Sequence, residues 1–166
     1  MGTGPGPHPF MDVPSETSAT LDMLRAARKF SEQHHRRLAR RVLVSGFSQG
    51  SFPALGLAHE LSDGHDPWFQ LGAVAPISGP YRWSQWVHNA VTGIGTVDSF
   101  SATVYLTYFS VAWNRLHQLY ASPSEWYQSP YAARIDLVFD GDHPVPEMLG
   151  FLPGTPAGTH ASRATG

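Results

Sequence analysis

Apolar and polar positions alternate along this chain in a few distinct patterns, and each pattern predicts an element. From Pro14 or Ser15 onward, Ala19, Met23, Ala26, Ala27 and Phe30 recur at helical spacing, with Glu16 and Asp22 early, near the positive end of the helix dipole. The helix fades into "HHRRLARR" at 34–41, a basic run that reads as a solvated helix end whose cations suit the negative end of the dipole. Next comes "RVLVSG", short, branched and bounded by glycine, as a buried parallel strand is. A helix from about Gln49 to Leu61 follows, with Phe52, Leu55, Ala58 and Leu61 along one face and "SDGHDP" to end it. Residues 71–75, "LGAVA", form a second buried strand that breaks at Pro76. Strand, helix and strand with short connections make one parallel crossover unit.

Beyond Pro80 the pattern changes. Aromatic residues crowd the stretch from Tyr81 to Tyr131, and Ser99 to Tyr120 reads as a helix that is apolar around much of its circumference. "ARIDLVFDGDHPVP", ending at Pro146, fits either a third strand or another helix. Residues 1–14 are Gly- and Pro-rich loop. The expected organisation is an α/β core over 1–80, a helical, aromatic-rich cap-like segment over 81–152, and a disordered tail over 153–166.

Composition narrows the function classes. A net charge of −2 gives no footprint for nucleic acid. Only 14% of residues are charged while 12% are aromatic, so some apolar surface is expected to meet a ligand, a cap or further protein. Cysteine is absent, which rules out disulfides and thiolate metal sites. The opening residues lack the basic and apolar regions of a signal peptide, and Val104 to Trp113 is too short and hydroxyl-rich to span a bilayer. The compartment is not legible.

The chemistry concentrates in "GFSQG", residues 46–50. A serine hydroxyl is a poor nucleophile until a base takes its proton, so it must be presented to both base and substrate. The G-x-S-x-G turn does this between a strand and a helix, holding the serine in a strained conformation. The pentapeptide alone is a weak signal, but its place between a branched apolar strand and an amphipathic helix is what the turn requires. Ser48 is then the candidate nucleophile and the Gln49 backbone N–H a candidate oxyanion donor, with Gly46 and Gly50 letting strand and helix approach.

"RVLVSGFSQGSFPALGLAHEL" followed by "LGAVAPISGPY" resembles the α/β-hydrolase superfamily, specifically bacterial hydrolases similar to secretory lipases. "GTGPGPHPFMDVPSETSATLDMLRAARKF" is similar to the loop and helix that precede the turn in those proteins. "SPSEWYQSPYAARIDLVFDGDHPVPEMLGFLPGTP" is similar to their cap segment. The resemblance implies a partial α/β-hydrolase-like parallel sheet, the central piece of such a protein. It also implies serine ester hydrolysis through an acyl-enzyme, on small-molecule or lipid esters, without cofactor or metal. Ser48 and Gln49 carry over by position. The family's earlier strands and second oxyanion donor precede the matched region, and its catalytic acid and histidine follow the cap.

An in-chain alternative exists: Ser48, Asp142 and His160 stand in the Ser–acid–His order of this fold. Against it, nothing in the tail is expected to hold His160 in place. His34 and His35 point about 100° apart on a helix and cannot easily share a metal. "DGHD" at 63–66 and "DGDH" at 140–143 read as turns, and His8 as a loop packing residue. Two further readings belong to other classes. One is a catalytically silent fragment or subunit that needs another chain for its acid and base, and associates through uncovered sheet edges. The other is an anion-binding module built on "HHRRLARR".

Overall fold

Asp12 opens the first helix. Its side chain accepts the N–H of Ser15, and Pro14 sits in the first turn, where a missing N–H costs nothing. The helix α1 then runs Val13–Gln33. It stops at His34 and His35 because His35 is left-handed, with a φ of 55°, and the basic run therefore lies beyond the helix. No cation occupies the last turn, which corrects the expectation that "HHRRLARR" forms the helix end. His34 instead packs its ring on Phe30, 4.2 Å between centroids.

The structure, a computed structural model, describes residues 7–95 and 97–152. After α1 come the strand β1 (Arg41–Phe47), a 3-10 turn at Ser48–Gly50, the helix α2 (Ser51–Ser62) and the strand β2 (Gln70–Ile77). The strands pair in parallel, with Val44 beside Val74 and Phe47 beside Ile77. These elements belong to one unit, Met11–Arg82. Its core is Leu21 from α1, Val44 from β1, Ala54, Leu57 and Leu61 from α2, and Phe69 at the start of β2. Asp66 anchors the α2–β2 connection: buried, it accepts the N–H groups of Trp68 and Phe69 at 3.0 and 2.8 Å and the Nε of Arg25 at 3.0 Å. Burial pushes this carboxyl up, but those two N–H groups and the guanidinium outweigh it and hold it below the usual carboxylate range.

One face of the sheet is covered and the other is bare. Alternate residues of a strand point to opposite faces, so Val44 turns inward while Leu43 and Phe47 remain 80% and 71% exposed. Ile77, in register with Phe47, is also exposed. Parallel sheets are normally covered on both faces.

The second unit comprises the described parts of Met1–Phe10 and Trp83–Gly166. Its helices are α3 (Trp83–Thr92), α4 (Ser99–His117), α5 (Ile135–Val138) and α6 (Val145–Phe151). Asp98 caps α4 by accepting the N–H of Ser101, and left-handed Gln118 ends it. Val111, Ile135 and Phe139 are almost wholly buried, and Phe10 packs on Tyr108 with ring centroids 4.6 Å apart. Arg115 donates to the carbonyls of Phe139 and Asp136, each at 2.9 Å, and so ties α4 to α5. Trp83 and Trp86 stack 4.9 Å apart on α3, and Trp83 meets Phe109 of α4 edge-on. The segment "ARIDLVFDGDHPVP", for which strand and helix were both open, forms short helices and a loop.

Candidate functional site

In parallel α/β sheets, ligands gather beyond the carboxyl ends of the strands, where the connections to the next helices begin. At that end β1 stops at Phe47, and Ser48 follows with a φ of 54° and an exposed side chain. A left-handed conformation is uncommon for a residue with a Cβ and must be held by its surroundings. Gly46 is the first restraint. A Cβ there would run into the carbonyl of Gly50, so strand and turn can close only on glycine. Gly50 differs from the sequence expectation: a Cβ on it would meet nothing, and it contributes its carbonyl rather than its lack of a side chain.

Ser51 is the second restraint. Fully buried, it donates its Oγ to the Ser48 carbonyl at 2.7 Å. The loop after β2 lies directly against that hydroxyl at Gly79, where a Cβ would strike the Ser51 side chain. β2 also ends in a left-handed serine: Ser78, φ 50°, follows Ile77 as Ser48 follows Phe47.

A third restraint had no signal in the sequence. Glu16, on the first turn of α1, is buried, and its Oε1 accepts from the Gln49 side-chain Nε2 at 2.5 Å and from the Met11 N–H at 3.2 Å. Burial pushes the Glu16 carboxyl up, against the pull of the Gln49 and Met11 bonds, which lower it. Its early place in the helix pointed only to the dipole. That its side chain reaches the residue after Ser48 follows from how α1 packs on α2, which one-dimensional spacing does not encode.

The structure thus brings Ser48, Gln49, Gly46 and Ser51 together at one turn. Asp142 lies in the other unit, exposed, in the loop between α5 and α6. That loop is organised around Asp140, which accepts the N–H groups of Asp142 and His143 at 2.8 and 3.0 Å and meets His143 Nδ1 at 2.9 Å. Burial pushes the Asp140 carboxyl up, but the His143 ring and these N–H groups prevail and hold it at about 2. His160 lies outside the described residues. Among the described residues, no cluster of three or more His, Asp or Glu side chains is placed to hold a metal, and no helix is long and apolar enough to cross a membrane.

Comparison with known proteins gives structural neighbours of one kind. A candidate hydrolase from Legionella pneumophila matches with a TM-score of 0.75 and 29% identity, over 88% of this chain and 38% of that one. The rice cell wall degrading esterase LipA from Xanthomonas oryzae matches in its ligand-bound form with a TM-score of 0.76 and 32% identity, over 86% of this chain and 37% of that one. Its N228W mutant gives a TM-score of 0.77 at the same identity and coverage. No family model matches the chain, and no curated protein does. The fold is therefore mixed α/β, a partial parallel sheet with helices and an aromatic cluster, like part of an esterase-type hydrolase. The chain spans less than two fifths of the length of these solved structures.

Proposed function

We propose that this chain carries the nucleophile segment of a serine esterase of the α/β-hydrolase superfamily, akin to secretory lipases. The observation that carries the reading is Ser48: exposed and left-handed, at the carboxyl end of a parallel strand and the start of a helix. Its Oγ attacks the carbonyl carbon of an ester while a base takes the hydroxyl proton. The carbonyl oxygen becomes an oxyanion, which the Gln49 N–H at the positive end of the following helix stabilises. Collapse expels the alcohol and leaves an acyl group on Ser48, and water then releases the acid. The catalytic acid and base come from outside the turn. The aromatic helical unit over 83–152 plays the part of a cap and favours hydrophobic or aryl esters over small polar ones. The reaction needs no metal.

A second reading, a catalytically silent subunit, draws on the bare sheet face. A fluorophosphonate probe separates the two, because it reports an activated hydroxyl without requiring the substrate. The purified chain is labelled beside a Ser48→Ala control, and the modified peptide is mapped by mass spectrometry. Labelling at Ser48, absent from the control, supports the esterase reading. A folded chain that stays unlabelled assigns the residues as the silent subunit.

A further inference from the structure

The peptide that joins Ser48 to Gln49 is a rigid plane, so fixing its carbonyl and its following Cα fixes the direction of the Gln49 N–H. Ser51 holds the carbonyl end, 2.7 Å from its Oγ. The other end is held through the Gln49 side chain, whose Nε2 reaches Glu16 Oε1 at 2.5 Å. Glu16 cannot wander in response. Its backbone N–H donates to Asp12 at 3.0 Å within α1, and the same Oε1 also takes the Met11 N–H. Among the restraints on the turn, this one acts through the side chain of the residue that bears the candidate oxyanion donor.

A carboxylate is a costly choice for this place. Glu16 is only 9% exposed, and burying a charged group is unfavourable unless its partners compensate. Asp12, four residues earlier and also buried, adds a like charge rather than relief. A residue needed only to fill space between α1 and the turn would be apolar. What a carboxylate supplies and an apolar side chain does not is a strong, directed acceptor for Gln49.

We propose that Glu16 is a positioning residue for the turn at Ser48: through Gln49 it sets the direction of the backbone N–H that receives the oxyanion. The inference rests on the reading of Ser48 as nucleophile and goes beyond it by naming the group, on a different element, that keeps the turn competent.

The test is a double-mutant cycle on the full chain, read as the rate of fluorophosphonate labelling at Ser48 and as amide hydrogen exchange of the 48–52 segment. Glu16→Ala and Gln49→Ala should each slow labelling about tenfold. The double variant should be no slower than either single one, because both changes break the same link. Glu16→Gln, which keeps an acceptor oxygen, should come back to within about threefold of the native rate. Exchange at 48–52 should speed up in Glu16→Ala while that of β1 stays as it was. If Glu16→Ala does not fold, Glu16→Leu fills the volume without an acceptor and takes its place. Additive effects of the two alanine variants, or unchanged exchange at the turn, overturn the inference. If the native chain is not labelled at all, the esterase reading fails on its own, and the exchange arm still decides whether Glu16 holds the turn.

Discussion

Ser48 carries a Cβ in a conformation that favours glycine, and that should be measurable as stored free energy. The left-handed region costs an L-residue about 1–2 kcal/mol. Glycine avoids that penalty but gives up about 0.5–1 kcal/mol more backbone entropy on folding. The net expectation is that Ser48→Gly is more stable than Ser48→Ala by about 0.5–1 kcal/mol, or about 1–4 °C in melting temperature for a chain of this size. Alanine is the correct reference because it removes the hydroxyl without removing the Cβ. Urea unfolding of the two variants side by side measures the difference directly. The same pair at Leu55, an exposed position inside α2, supplies the control. There glycine should be worse than alanine by about 1 kcal/mol. The reasoning is refuted if Ser48→Gly unfolds at or below the midpoint of Ser48→Ala while Leu55 behaves as expected, since the turn would then hold no strain.

Gly46→Ala should destabilise by about 3 kcal/mol, because the added methyl meets backbone of Gly50 and Ser51 that cannot swing aside, whereas Gly50→Ala should change stability by no more than about 0.5 kcal/mol; chemical denaturation of both checks the contrast. Asp66 ionises more readily folded than unfolded, so its contribution is present above the unfolded value near 4 and is lost as pH falls through the lower, folded value. Asp66→Asn should therefore flatten the acid limb of the stability–pH curve, and an unaltered limb would refute the assignment. Leu43→Thr with Phe47→Thr should reduce binding of a hydrophobic dye at a stability cost within about 0.5 kcal/mol each, since both side chains already face solvent.

Much of the α/β unit was legible because its signals are local. The branched run at 41–46 and the spacing over 49–61 each report the kind of element that formed, and the run at 71–75 falls inside β2. Burial differs from the expectation: of the two strands only Val44 is buried, and α2 turns Ala54 and Leu57 to the core rather than Phe52 and Leu55. What stayed hidden depends on contacts across the chain. The cap of α1 is Asp12, ahead of the Pro14–Ser15 pair where the apolar spacing begins, because Pro14 needs no partner for its nitrogen and lets the cap stand further upstream. The end of α1 is hidden because the basic run suits a helix end as a charge pattern, and the left-handed His35 that stops the helix has no sequence signature. α3 shows in the sequence only as an aromatic stretch, since Trp83, Trp86 and Phe109 meet across two helices. Ser48 and Gly46 could be named from the motif, whereas Glu16 and Ser51 could not, because their role is a geometry between elements.

Neither strand of the sheet has a second neighbour among the described residues, so each keeps a free edge, and the two edges belong to different strands. That asymmetry governs how copies could join. Pairing the β1 edge of one molecule with the β2 edge of the next uses two different surfaces, leaves one of each exposed at the ends, and can be repeated without limit. Pairing β1 with β1 about a two-fold axis uses the same surface twice and stops at two molecules. The geometry of a single pair of strands thus decides between a growing thread and a closed dimer, and whatever segment occupies the outer edge of β1 or β2 in a larger assembly ends that choice.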